Sequence, residues 1–447
     1  MSGIAEVLIS LGFPVSGSDV QSTPTTRKLE KIGARVFHGH RAEQIDGATC
    51  VVVSSAVSPL NPEWREAEKR KVPVIPRAEM LAELMRMKLG VAVAGSHGKT
   101  TTTSMIGQIL QPIDPTVVVG GRVQQWNASS IVGKGEVFVI EADESDRSFL
   151  KFSPVYSVVT NIDREHLDTY RDLKDIENTF TEFLNRTAFF GTNWLSADCP
   201  SLRAIRSNIR KPVKTFGVSP DADLRISSMT FKNRRSQFTL ELEGQSLGSF
   251  ELSISGVHNV KNAAAAIGIG LSLGVGEGDI REGLQNFVPA DRRLQIHFES
   301  SEIAVVEDYG HHPTEVEATL DALRLMFPER DVTVIFQPHR YTRTQALWKD
   351  FPLSFEGRCQ ELVLLPIYSA HEEPIRGVTS EALAKEFKGL QVSAPAKIPS
   401  VDEVREMLRK SKRAGQVILI LGAGPLTSLS TELAQSFSVS TQAFAIR

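Results

Sequence analysis

The stretch Val91-Ala-Val-Ala-Gly-Ser-His-Gly-Lys-Thr-Thr-Thr-Thr103 constrains this chain more than any other. An apolar run from Leu89 to Ala94 reads as a buried strand, a Gly-bounded turn follows, and a Thr-rich helix then begins. That order is the architecture of a nucleotide phosphate loop. Backbone N–H groups of Gly95, Ser96, His97, Gly98 and Lys99 would face phosphate oxygens, with the positive end of the helix behind them. Lys99 would reach the outer phosphates and the Thr100 hydroxyl would bind Mg²⁺, with Thr101 in the same turn. The pattern is the short G-x-x-G-K-T, because Val93 stands where the longer phosphate loop has its first Gly. An ordinary Gly turn beside a surface Lys is the competing reading; the strand before and helix after favour phosphate.

Composition narrows the partners. The 447 residues carry 50 basic and 53 acidic side chains, a net charge of −3, so neither a nucleic-acid partner nor a membrane surface is expected. Cys50, Cys199 and Cys359 are far apart and odd in number, which fits free thiols in a reducing cytoplasm. No apolar run approaches the ~18 residues of a membrane span. The first residues lack the basic segment of a signal peptide.

The length suggests about three domains, and alternating strand and helix patterns give an α/β class. Residues 1–88 read as a parallel sheet covered by helices, with a buried strand at Thr49–Ser55 and a helix starting at Asn61-Pro62. Unusually, this region opens on a helix where a doubly wound nucleotide fold opens on a strand and Gly-rich turn. Residues 89–290 carry three strands with chemically loaded tips: Leu89–Ala94, Glu136–Ile140 before Glu141-Ala-Asp-Glu-Ser-Asp146, and Tyr156–Thr160 before Asn161 to Asp168. Ligands bind at the carboxyl ends of such strands, so Lys99, Glu141 and His166 are expected to converge. Alternation from Ala222 to Ser255 reads as an antiparallel insertion, and the small-residue helix after His258 could pack closely. Residues 291–447 read as a second α/β unit with strands at Ile303–Val306, Val332–Phe336, Glu361–Leu365 and Val417–Leu421.

Seven segments, in order, carry a resemblance: Gly95-Ser-His-Gly-Lys-Thr-Thr-Thr, Glu141-Ala-Asp-Glu-Ser-Asp, Thr160-Asn-Ile with His166-Leu-Asp-Thr-Tyr170, His258-Asn-Val-Lys-Asn262, Asp291-Arg-Arg293, Asp308-Tyr-Gly-His-His-Pro-Thr-Glu315 and Gln337-Pro-His-Arg-Tyr-Thr-Arg343. Over nearly its whole length the chain resembles the Mur ligase family, in particular members that use UDP-N-acetylmuramate and L-alanine. The resemblance implies three domains: a Rossmann-like UDP-binding domain, a central phosphate-loop ATPase domain and a C-terminal Rossmann-like domain. It implies ATP-dependent ligation through an acyl phosphate, with ATP and two Mg²⁺ ions.

By resemblance, Lys99 and Mg²⁺ neutralise phosphate charge, Thr100 and Glu141 hold one ion, and His166 with Glu141 holds a second. A solvated loop acid and a capping histidine are the plain readings of those two residues. Asn262 is the expected adenine contact, beside His258 and Asn259, and Asn259 can also cap its helix. Arg293 is expected to reach the phosphates and Arg292 to be a surface partner. Asp308, Tyr309 and His311 are expected near the nucleotide. His339, Arg340 and Arg343 are expected to meet alanine and the reacting carboxylate; two arginines three apart can clamp a carboxylate, though alone they would more often be a solvated edge. Tyr368 to Pro374 would flank the amino-acid pocket, where size discriminates by about 1–3 kcal/mol per methylene. Ser18, Asp19, Ser54 and Ser55 match UDP-binding segments, and Gly120, Gly121 and Asn127 the segment that meets the sugar. Glu144, Asp146 and Glu165 are nearby acids, either supporting or solvated.

Two departures stand out. The family's N-terminal strand and Gly-rich turn have no counterpart, which a misplaced start explains better than a true loss. Gly422-Ala-Gly-Pro425 lacks the acid that commonly follows the second Gly. The competing functions are a recycling ligase that attaches a whole peptide to the same sugar nucleotide, and a nucleotide-binding regulatory protein without synthetic activity.

Overall fold

In the computed structural model the described residues are 1–54, 57–411 and 415–445. A ten-stranded sheet forms the middle of the molecule. Its order is Gln245–Leu252, Arg235–Leu242, Leu224–Lys232, Val213–Gly217, Thr192–Ser196, Tyr156–Val159, Leu89–Ala94, Val137–Glu141, Thr116–Val123 and Ala128–Ile131. Neighbours from Leu224–Lys232 through Thr116–Val123 run parallel. The strand Leu89–Ala94 lies between two parallel partners, and all but its first residue are buried. This explains its unbroken apolar run, since a strand covered on both faces has no polar side to present. The hairpins expected from alternation at Ala222–Ser255 are antiparallel to one another. They continue the central sheet, because Phe216 pairs in parallel with Leu224.

One face of this sheet is covered by the helices Lys99–Ile109, Val257–Ser272 and Glu277–Gln285, around a core that includes Met105, Trp194, Phe250 and Ala263 to Ala266. The other face packs Phe138 and Ile140 under the helices Ser2–Ser10, Arg77–Arg86 and Leu173–Leu184, the last contributing Phe180 and Phe183.

The third region holds a six-stranded sheet in the order Gln295–Glu299, Ile303–Asp308, Gln416–Leu421, Asp331–Phe336, Glu361–Leu364, Gln391–Ser393. All neighbours are parallel except the first pair. The two outer strands were not anticipated. Neither has a buried residue, so neither shows the apolar run that marks the inner four.

The first region corrects the expectation of one sheet. Ser16–Asp19 pairs only with Arg35–His38, and Val51–Val53 only with Val74–Pro76, giving two separate parallel pairs. None of these strand residues is buried, because each pair has two open edges and little helix cover. The strand expected at Thr49–Ser55 is therefore half-buried and shorter. Asn61 does cap its helix, its side chain accepting from the Glu63 N–H at 2.9 Å with Pro62 in the first turn. The opening helix docks on the central region: Ile4 and Val7 share a core with Phe138 and Ile140, and Ser130 donates to Glu6 at 3.2 Å. Among the described residues no helix is long and apolar enough to cross a membrane, and all three cysteines are free.

Candidate active site

The phosphate loop leaves the central strand with φ +128° at Gly95 and +85° at Gly98. These left-handed positions favour glycine. A Cβ at Gly95 would lie 2.2 Å from the Thr160 hydroxyl, and one at Gly98 would lie 2.8 Å from the Asn262 side-chain oxygen. Asn262 thus abuts the loop itself. The next strand tip holds the turn open: the Asn161 side chain accepts from the His97 N–H at 2.9 Å, and its carbonyl accepts from the Ser96 N–H at 3.1 Å. Lys99 Nζ donates to the Gly95 carbonyl at 2.7 Å and pairs with the Glu144 carboxylate at 2.8 Å. Burial works against its charge, but Glu144 outweighs burial and raises the pKa above the ordinary lysine value.

Thr100 and Glu141 meet at the mouth of the loop. The Thr100 hydroxyl lies 2.9 Å from both Glu141 oxygens, and the Gly120 N–H donates to the same carboxylate at 2.7 Å. A hydroxyl and a carboxylate at the mouth of a phosphate loop are hard oxygen donors that fit Mg²⁺. His166, with φ +52°, turns its Nε2 toward Glu144 at 3.5 Å and Glu165 at 3.4 Å. Its contacts are with these two acids, and Glu141's are with Thr100 and Gly120. Burial opposes the His166 charge, and the two acids more than offset it, so its pKa is raised.

The third region closes over these tips. Arg343 Nε donates to Glu165 at 2.9 Å, and its Nη1 donates to the His339 carbonyl at 3.1 Å. Arg340 pairs through two nitrogens with Asp168 at 3.2 and 3.3 Å, and through Nε with Glu372 at 2.6 Å. The two expected carboxylate-binding arginines thus already hold protein carboxylates. The cleft between Arg164–Asp168 and Arg340–Leu347 encloses only about 20 Å³, space for roughly one water. His339 lies between His311 and Tyr368, with ring centroids 5.5 and 5.4 Å away. Burial first, then neighbouring cations, holds His339 down to about 3; burial holds His311 down to about 4. Both are neutral at pH 7.

Asp308 is occupied by its own turn, accepting from the Gly310 and Leu294 N–H groups at 2.8 and 2.9 Å and from Thr319 at 3.0 Å. Tyr309 lies under Arg292 and Arg293, 4.9 and 5.3 Å from the ring centroid. Arg292 is not the surface partner expected: its Nε pairs with buried Glu307 at 2.7 Å, and Nη2 donates to the Gly422 and Gly424 carbonyls. Arg293 makes no ion pair among the described residues, and its charge adds to the burial that lowers His258 to about 4. Asn259 donates to the Ser255 carbonyl at 2.8 Å, a local tie within the start of its helix.

In the first region Ser18 shares a hydrogen bond with His40 at 2.9 Å, and His40 lies 3.0 Å from Glu63. Asp19 accepts from the Gln21 N–H at 2.9 Å. Ser54 follows its strand half-buried; Ser55 lies outside the described residues. Asn127, at φ +51°, is held by Arg122, which pairs with Asp291 at 3.2 Å.

Glu144, Glu165 and Asp168 emerge as the anionic centre of the site; sequence reasoning left the first two open and gave Asp168 no role. Glu144 and Glu165 are almost fully buried, a property no local spacing announces.

Three family descriptions match in succession: "Mur ligase family, catalytic domain" over residues 1–89, "Mur ligase middle domain" over 93–270 and "Mur ligase, glutamate ligase domain" over 292–424. The chain is 46% identical to a UDP-N-acetylmuramate–L-alanine ligase of Koribacter versatilis, with 98% of this chain and 95% of that protein covered. Among solved structures it is similar to the UDP-N-acetylmuramate–alanine ligase MurC of Thermotoga maritima: TM-score 0.78, 27% identity, 98% and 97% of the two chains covered. A murein peptide ligase from Psychrobacter arcticus shares the fold at a TM-score of 0.66 and 23% identity over 97% and 96% of the chains. Family models over most of the length and a full-length relative at 46% identity agree with the phosphate loop and its Thr100–Glu141 pair: the chain belongs to the Mur ligase family.

Proposed function

We propose that the chain joins L-alanine to the lactyl carboxylate of UDP-N-acetylmuramate in the cytoplasm, giving UDP-N-acetylmuramoyl-L-alanine, ADP and phosphate. The observation that carries this reading is the charged Lys99 and the Thr100–Glu141 pair on one sheet edge, faced by Arg340 and Arg343 from the third region. The divisions near residues 88 and 290 are adopted as the domain boundaries.

A carboxylate resists amines because it is anionic and its oxygen leaves poorly. In the first step a carboxylate oxygen attacks the γ-phosphorus of ATP and ADP departs. In the second, the alanine amine attacks the acyl carbon, loses a proton, and phosphate leaves with that oxygen. Phosphoryl transfer chiefly requires alignment and neutralised charge. The Gly95–Lys99 backbone and Lys99 supply these, with Asn262 packed against Gly98 and Arg293 available to the phosphates. Mg²⁺, held by Thr100 and Glu141 and, as a second ion, near His166, would neutralise the transferring group. Arg340 and Arg343 exchange their protein carboxylates for those of the substrates, which requires the third region to move. Neutral His339 and His311 shape the alanine end without adding charge.

Oxygen-18 in the lactyl carboxylate is expected in the released phosphate, and release is expected to need the sugar nucleotide and L-alanine together. Unlabelled phosphate, or exclusive use of a tripeptide as acceptor, would overturn the reading.

A further inference from the structure

A second cluster of side chains lies at the phosphate loop, and the proposed reaction uses none of these side chains. His97 lies in the loop, Asp163 follows the strand Tyr156–Val159, and His312 caps the third region's helix Pro313–Met326. His97 Nε2 is 3.0 Å from Asp163 Oδ2, and His312 Nδ1 is 3.5 Å from the same oxygen. The three potential ligand atoms all lie within 4.8 Å of one another, the one such group of His, Cys, Asp or Glu found among the described residues. A tetrahedral ion with bonds of about 2.0–2.1 Å holds its ligand atoms roughly 3.3 Å apart, so small side-chain rotations suffice.

The surroundings are those of a metal site as well. A ligating imidazole almost always donates its other N–H to a carboxylate or a carbonyl. His312 directs Nε2 at the Arg164 carbonyl, 3.3 Å away, while its Nδ1 is unprotonated, accepting a long hydrogen bond from the Thr314 N–H at 3.3 Å that an ion would displace. His97 directs Nδ1 at the Glu315 carboxylate, 3.3 Å away. That nitrogen is buried and makes no hydrogen bond of good geometry. Asp163 is oriented by the Thr314 hydroxyl at 2.6 Å. His312 is 3% exposed. Two imidazoles and one carboxylate suit a borderline transition ion better than Mg²⁺.

We propose that His97, Asp163 and His312 bind a divalent transition ion of the Zn²⁺ class, distinct from the Mg²⁺ held at Thr100 and Glu141. Ligands come from both the phosphate loop and the third region, so the ion is held only when the two are together, and it fastens them.

The test uses the full chain, stripped with a chelator and titrated with Co²⁺ in excess Mg²⁺. One equivalent of Co²⁺ is expected, with the intense visible absorption of a tetrahedral site, displaced by Zn²⁺. His312→Ala and Asp163→Asn should each weaken binding by about 100-fold or more, and Glu315→Gln by roughly 10–100-fold. Glu141→Gln should leave it unchanged. No bound cobalt in the wild type, retention in Asp163→Asn, or loss in Glu141→Gln would each overturn the proposal. Asp163→Asn keeps the side-chain volume, so it decides the matter alone if His312→Ala fails to fold.

Discussion

The first and central regions both carry candidate ligand contacts at the ends of parallel strands, but they pack those strands to different depths. Leu89–Ala94 sits seventh of ten strands with five of six residues buried. The strands Ser16–Asp19 and Val51–Val53 each have one partner and no buried residue. Burial on both faces fixes the position of a strand's last residue, and hence of the loop that follows. The phosphate end of the reaction thus rests on a rigid scaffold, and the candidate sugar-nucleotide contacts rest on one with much less packing to hold it.

The largest effect expected from this contrast is on catalysis. Lys99→Ala should lower kcat by about 10³-fold, the upper range for removing one positive donor at a transferring group. Ser18→Ala should raise KM for the sugar nucleotide by at most about tenfold, the worth of one hydrogen bond, with kcat nearly unchanged. Steady-state kinetics of both variants check this; near-normal kcat in Lys99→Ala would break the contrast. Because Lys99→Ala also strands the buried Glu144 carboxylate, adding Glu144→Gln should restore thermal stability without restoring turnover.

Stability gives the next test. Ile140→Ala, in a fully buried strand position, should cost about 3 kcal/mol in denaturant unfolding. Ile75→Ala, in a two-stranded pair and half-buried, should cost under about 1 kcal/mol. Equal costs would show that the first region is packed as firmly as the centre.

The smallest effect concerns acid. His258 and His339 are held neutral in the fold, at about 4 and about 3, while an unfolded histidine titrates near 6.5. As pH falls from about 6.5 toward 4, the unfolded chain takes up protons that the folded one refuses, so stability falls across that window. Melting temperature should drop by several degrees there, and His339→Gln should flatten part of the drop. An unaltered slope would place the acid sensitivity elsewhere.

What the sequence made legible divides along the same line. The phosphate loop and the inner strands of both larger sheets follow from local pattern, apolar runs and a Gly-bounded turn, whereas the Thr100–Glu141 meeting was implied by the family resemblance. Asn262 was expected near the nucleotide and abuts Gly98. The partners of Arg340 and Arg343 could not be read, because Asp168 and Glu165 lie more than 170 residues away. Arg292 was misjudged for a different reason: its partner Glu307 is only 15 residues on, but the burial of that acid in a neighbouring strand leaves no local mark. The half-exposed edge strands Gln295–Glu299 and Gln391–Ser393 lack the pattern that betrays a covered strand.

The Lys99–Glu144 pair has a consequence for selectivity. The resting loop carries its own counter-ion, so a visiting anion must displace an attachment already in place. A lone sulfate or inorganic phosphate has few other contacts with which to do so, whereas a nucleoside triphosphate gains along its whole length. If the loop holds a nucleotide as proposed, the buried acid would set a threshold that a lone small anion fails and a longer ligand passes.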